Sequence, residues 1–203
     1  MTDDDSLAKP SHGQGSDAAT TAMQAELFLR LTTLGIKVQT VDYPPHKTVE
    51  EGRALRGQMS GCFTKNLLLR DKKGKLFLIV AQEDRSIDLK TLHRSIGANG
   101  RLGFAPGEQM HEVLRVEPGA LTPLALLFDR DRQVTPVIDG HLLREAQVNF
   151  HPLTNTQSTA IDPRDLLKFI EACGHIALVV SLDDGGGSDS FRHDQSEASS
   201  ETL

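Results

Sequence analysis

Residues 61–81 read Gly-Cys-Phe-Thr-Lys-Asn-Leu-Leu-Leu-Arg-Asp-Lys-Lys-Gly-Lys-Leu-Phe-Leu-Ile-Val-Ala. Two apolar runs flank Asp71-Lys72-Lys73-Gly74, a turn closed by glycine. The pattern predicts strands over Thr64–Arg70 and Lys75–Ala81, joined as a hairpin. Outward from it, the elements alternate in type. Leu27, Leu31 and Leu34 recur at helical spacing and predict a helix over Met23–Leu34, stopped by Gly35. Ile36–Val41 reads as an imperfect strand, and Pro44-Pro45 forces an extended link. Thr48-x-x-Glu51 is a capping box that opens a short helix to Leu55. Downstream, Asp88 caps a helix through Ser95, Arg101–Phe104 is a short strand, and Pro106 starts a helix to Leu114. Strands follow at Leu124–Phe128, Val134–Ile138 and Val148–Phe150. Asp162-Pro163 opens a helix to Cys173, and His175–Ser181 is a last strand. Helices mixed with a hairpin and further strands predict one α+β domain around a mixed sheet.

Charge divides the chain in the same way. The 203 residues hold 22 Lys and Arg against 28 Asp and Glu, a net −6. Residues 1–21 carry Asp3, Asp4, Asp5 and Asp17 against Lys9. Residues 183–203 carry Asp183, Asp184, Asp189, Asp194, Glu197 and Glu201 against Arg192. Both ends read as disordered acidic tails, the second rich in Gly and Ser. The domain at 22–182 is left mildly basic. Its roughly 160 residues suffice for one hydrophobic core. No apolar run is long enough to span a membrane, and the N-terminus lacks a signal-peptide pattern. Cys62 and Cys173 make no disulfide framework, which fits a reducing cytoplasm.

Several catalytic signatures are absent. There is no P-loop, no G-x-S-x-G and no H-E-x-x-H, because Arg115 follows His111-Glu112 where the second His is required. The eight His show no ligand-like spacing. Gly97-Ala98-Asn99-Gly100 matches the GxxG of KH domains, but it joins a helix to a strand.

Three constellations remain. Lys65 opens an apolar strand beside Asn66. A cation there can grip a phosphate or carboxylate, or be an ordinary strand-end charge. Around it, Arg53, Arg56, Lys65, Arg70, Lys72, Lys73 and Lys75 face only Asp71, either a phosphate footprint or a solvated hairpin face. Gly119 and Pro123 bracket a short loop whose backbone N–H groups could bind an oxyanion; a plain turn would look the same. His151 ends a strand before Pro152, as a pocket-lining or a structural histidine.

Taken together, HKTVEEGRALRG at 46–57, the hairpin at 61–81, PGALTPLALL at 118–127 and NFHPLTNTQSTAIDPRDLLKFIEACGH at 149–175 resemble the YbaK-type editing deacylases. Within them, the nearest likeness is to the free-standing prolyl-tRNA-synthetase-associated proteins that clear alanine from proline tRNA. The resemblance covers residues 22–182 and implies a largely antiparallel mixed sheet flanked by helices. It implies an aminoacyl-tRNA hydrolase without metal or other cofactor, acting on the 3′ aminoacyl end of mischarged tRNA. Prolyl-tRNA synthetase is a further candidate partner, and no membrane is involved. By position, Lys65 matches the family's lysine for the tRNA 3′ end, with Asn66 shaping the same site. Gly119 and Pro123 match the loop whose backbone orients ester and water, and His151 matches a pocket histidine. Phe63, Phe150 and Leu153 are candidate pocket walls from their proximity to these motifs. The family's Gly-His before Thr-Lys-Asn is here Cys62-Phe63. That departure leaves selectivity for Cys- or Ser-tRNA open, and the basic window leaves open a non-catalytic tRNA-binding module.

An aminoacyl ester is already activated, so a held water and a stabilised oxyanion suffice to hydrolyse it. A synthetase pocket sized for proline cannot strongly exclude alanine, since missing methylenes are worth only about 1–3 kcal/mol. A second site that admits alanine and rejects proline corrects the error.

Overall fold

The computed structural model describes residues 13–42 and 59–182. The predicted capping-box helix at 48–55, Arg53 and Arg56 lie outside the described residues. Among the described residues, eight strands form one sheet: β1 (Gln39–Asp42), β2 (Cys62–Arg70), β3 (Leu76–Gln82), β4 (Gly103–Phe104), β5 (Val134–Asp139), β6 (Val148–Phe150), β7 (Gln157–Ile161) and β8 (Leu178–Val180). Their order is β1-β7-β6-β2-β3-β5-β8, with β4 also on β2. The β2–β3, β2–β4, β6–β7 and β1–β7 pairs are antiparallel. The β2–β6, β3–β5 and β5–β8 pairs are parallel, so the sheet is mixed as expected.

The β2–β3 hairpin is the centre of the sheet. Its turn is fastened from within by Asp71, whose carboxylate accepts the backbone N–H of Lys73 at 2.8 Å and of Lys75 at 2.9 Å. A third bond, from Asn99 N–H at 2.9 Å, ties the turn to the Gly97–Gly100 loop. Strand β3 is buried on both faces. Leu76, Leu78 and Val80 enter the main core, while Phe77, Ile79 and Ala81 enter a smaller core on the opposite side. Period-two alternation sends successive side chains to opposite faces, so a run of six apolar residues fits only a covered strand.

Helices cover each face. Helix α1 (Gly13–Thr33) contributes Leu27 and Leu31 to the main core. It starts well before Met23 and so runs into the stretch expected to be a tail. Helix α2 (Leu92–Ser95) lies on the smaller core through Leu92 and Ile96. Asp88 accepts from Lys90 N–H and Thr91 hydroxyl, but the helix itself begins only at Leu92. Helix α3 (Gly107–Leu114) follows Pro106, and α4 (Pro163–Ala172) is capped by the Asp162 carboxylate on Arg164 N–H at 2.7 Å. The α4 residues Leu166, Phe169 and Ile170 complete the main core.

Two expectations change. Leu124–Phe128 is not a strand: Pro123–Leu127 is a 3-10 helix, capped by the Thr122 hydroxyl accepting from Leu124 N–H. A short apolar run is compatible with either form, and the Thr-Pro entry decides for the helix. Strand β7 is unanticipated because Gln157, Ser158 and Thr159 lack an apolar alternation, yet it pairs with β1 and β6 on either side.

Candidate functional site

The site follows from how β2 is paired. One edge of β2 is taken by β3 along its length. The other edge is shared. Its start pairs with β6 at Cys62↔Val148 and Phe63↔Asn149, and its end pairs with β4 at Leu69↔Phe104 and Arg70↔Gly103. Between Phe63 and Leu69 neither strand is in register, and a cleft of about 290 Å³ opens there. It is lined by Thr64, Asn66, Leu67, Leu68, Phe104, Ala105, Met110, Pro118, Gly119, Leu121 and His151.

Three sequence-predicted residues therefore meet: Asn66 from β2, Gly119 from the loop after α3, and His151 from the end of β6. The Asn66 amide donates from Nδ2 to the Leu121 carbonyl at 2.9 Å, which fastens the strand to the Gly119 loop. Its Oδ1 is buried without a hydrogen-bond partner. Glu117–Ala120 is a tight turn, with Ala120 N–H on the Glu117 carbonyl at 3.0 Å. Pro118 pre-sets the second position, and Gly119 takes the third at φ +93. That left-handed conformation suits glycine in a Pro-Gly turn. An added Cβ at Gly119 would meet only Asn155 Nδ2, at 3.9 Å, so the turn leaves open space beside it.

The His151 ring is set by its Nδ1, which lies 2.9 Å from the Gln157 carbonyl. A carbonyl only accepts, so Nδ1 carries the hydrogen and, in the neutral ring, the lone pair is on Nε2. Thr64 donates its hydroxyl to the Asn149 carbonyl at 2.9 Å, bridging β2 to β6 at the mouth of the gap.

The remaining expected residues lie elsewhere. Lys65 alternates with Thr64 and Asn66, so it sits on the opposite face of β2, and its Nζ donates to the Arg85 carbonyl. Arg85 is held in turn by the fully buried Asp139, Nε to Oδ2 at 3.5 Å. Phe63 shares the Lys65 face and is half-buried. Phe150, expected as a wall, is 2 % exposed and packs within the main core. Its even position in β6 puts it with Val148 under the sheet, which is why nearness in sequence to His151 misleads. Pro123 is buried at the start of the 3-10 helix. Leu153, buried at φ +68, lines neighbouring grooves beside α1.

Sequence reasoning missed Thr64, Phe104, Met110 and Leu121. Thr64 was within reach, since it shares the face of Asn66 by alternation. Phe104 and Met110 are brought in by the β4–β2 pairing, for which no motif speaks. Burial, with smaller contributions from nearby carboxylates, pushes the Cys62 thiol up to about 11. Burial likewise raises Cys173 to about 11. Neither is a thiolate near neutral pH, so neither is a ready nucleophile. Among the described residues no three His, Cys, Asp or Glu gather closely enough to hold a metal ion. No helix there is long and apolar enough to cross a membrane.

Comparison with known proteins agrees with this architecture. Residues 43–169 match the model of the aminoacyl-tRNA editing domain. The chain is 37% identical over 175 residues to prolyl-tRNA synthetase associated domain-containing protein 1 of Danio rerio, covering 85% of this chain and 95% of the relative. It is 32% identical over 157 residues to the prolyl-tRNA editing protein ProX of Acetoanaerobium sticklandii, covering 77% and 95%. In fold it is similar to a crystal structure described as a candidate trans-editing enzyme for prolyl tRNA synthetase, with TM-score 0.62 and 22% identity over 80% of this chain and 98% of that one. The shared mixed sheet, its flanking helices and the matched domain place this chain in the aminoacyl-tRNA editing domain family.

Proposed function

We propose that the protein is a cytoplasmic trans-editing deacylase that hydrolyses the ester of Ala-tRNA(Pro) without a metal ion. The observation that carries this reading is the convergence of Asn66, Gly119 and His151, from three separated segments, on one cleft. In the reaction a water adds to the ester carbonyl, the bond to the ribose oxygen breaks, and that oxygen leaves with a proton. The ester is activated, so positioning and charge stabilisation carry most of the barrier reduction.

In this reading the Gly119 turn supplies backbone donors to the oxyanion. The neighbouring 2′-hydroxyl of the substrate assists the water. Asn66 Oδ1 is an acceptor that the substrate's ammonium or hydroxyl would satisfy, while the Leu121 carbonyl keeps the amide from rotating. His151, with its ring set by the Gln157 carbonyl, packs beside the amino acid. Lys65, on the other face of β2, holds a phosphate of the 3′ end. Free Cys62 and Cys173 suit the reducing cytoplasm. Prolyl-tRNA synthetase is the natural supplier of the mischarged substrate.

The test is release of alanine from Ala-tRNA(Pro) by the pure protein. Hydrolysis well above buffer, faster than for Ser-tRNA or Cys-tRNA, is expected. Asn66→Ala and His151→Ala should each reduce kcat/KM by roughly 100-fold, the lower end of the range for losing one preorganised polar group. Tight tRNA binding without alanine release would sink the enzymatic reading.

A further inference from the structure

The chain is poor in aromatics, with eight Phe, one Tyr and no Trp. Phe77, Phe150 and Phe169 are fully buried, and Phe128 nearly so. Phe104 is different: it is 66% exposed, the single exposed aromatic among the described residues. It also lines the cleft. Among the described residues its strand β4 pairs only with β2, and Phe104 is directly opposite Leu69. Cross-strand partners share a face. Phe104 therefore stands on the face of β2 that carries Lys65 and Leu67, about 13 Å along the strand from Lys65 at 3.3 Å per residue.

A cationic strip begins beside it. Arg101 is exposed three residues before Phe104. The exposed Lys72 reaches the same loop, with its N–H on the Asn99 carbonyl at 3.3 Å and its side-chain stem against Gly100. Lys73 is exposed next to it, and the one carboxylate of this turn, Asp71, is buried and occupied by three backbone donors. An exposed ring followed by cations, both leading away from the cleft, is the pattern that binds single-stranded nucleic acid: the ring stacks a base and the cations follow the phosphates.

We propose that Phe104 is a stacking platform for an unpaired base at the 3′ end of the RNA, with Lys72 and Arg101 on the phosphates of the adjoining stem. This rests on the deacylase reading, and it gives the substrate a direction. The acylated terminus enters the gap between β4 and β6, and the duplex leaves over the β2–β3 turn.

The test uses the full chain and two uncharged RNA minihelices of the proline acceptor stem, one with its unpaired 3′ end and one blunt. Binding is read by fluorescence anisotropy at several salt concentrations. Phe104→Ala should weaken binding of the overhanging RNA by roughly tenfold, within the range for losing one base–aromatic stack. Phe104→Trp should restore it, and neither variant should alter the blunt RNA. Lys72→Ala and Arg101→Ala should weaken both RNAs and each lower the salt slope by about one. Equal affinity of wild type and Phe104→Ala for the overhanging RNA would overturn the proposal, as would equal losses on both RNAs. Hydrolysis of Ala-tRNA(Pro) measured in parallel separates the two readings. Active wild type with an unaffected Phe104→Ala defeats only the platform, while inactive wild type that still binds through Phe104 defeats only the chemistry.

Discussion

At Gly61 an added Cβ would lie 2.9 Å from the Asn149 amide nitrogen and 2.9 Å from the Gln147 carbonyl, at a backbone φ of +96. Both contacts come from the chain entering and forming β6 beside the start of β2, where Cys62 N–H also donates to the Gln147 carbonyl at 2.9 Å. Glycine is required here by space and by backbone conformation together. Gly61→Ala should cost about 1–3 kcal/mol, the range for a strained left-handed residue, read as a lower urea midpoint. The same variant should slow release of alanine from Ala-tRNA(Pro), because His151 directly follows β6. Three lining residues of the cleft were legible from the sequence. Asn66, Gly119 and His151 each belong to a local motif, and local motifs survive folding. Which faces Lys65 and Phe150 take was not legible from their nearness to the motifs, because period-two alternation assigns neighbours to opposite faces. Lys65 and Asn66 are adjacent in sequence and separated by the sheet.

Among the elements, the β2–β3 hairpin was legible because two apolar runs around Asp-Lys-Lys-Gly admit one arrangement. The 3-10 helix at Pro123–Leu127 was not, since Leu124, Ala125 and Leu126 are buried all round and leave no periodicity to read. Strand β7 is the converse case, a polar sequence made into a strand by partners on both sides. The hairpin turn carries a titratable clamp. Hydrogen bonds from the backbone of Asn99, Lys75 and Lys73 hold the Asp71 carboxyl below its ordinary value. A carboxylate lowered on folding stabilises the fold above its unfolded pKa, and that contribution is lost as pH falls through the folded one. Wild type should therefore lose Tm on acidification below about pH 4 more steeply than Asp71→Asn, so that their difference narrows. A constant difference across the acid limb would show that the clamp is not electrostatic. Because Asn99 leads to Arg101 and Phe104, the variant should also loosen binding of the overhanging RNA.

For the whole molecule, the net charge of −6 conceals a basic turn beside the cleft and acidic ends. Residues 1–12 include Asp3, Asp4 and Asp5, and residues 184–203 include Asp184, Asp189, Asp194, Glu197 and Glu201. Removing both segments while keeping α1 intact should tighten tRNA binding at low salt, with the gain fading as salt screens it. Unchanged affinity would show that the ends do not repel the RNA. The split edge of β2 has a further consequence, in the order of assembly. The β2–β3 hairpin closes over a short turn, whereas β4 comes from a distant segment and β6 from one farther still. Loop-closure entropy delays such non-local pairings. On a ribosome the hairpin can form while the chain is half made, but the gap between β4 and β6 exists only after residue 161 has emerged and β7 has clamped β6. The cleft is thus complete only when nearly the whole domain has been synthesised, so any chain truncated before β7 lacks it.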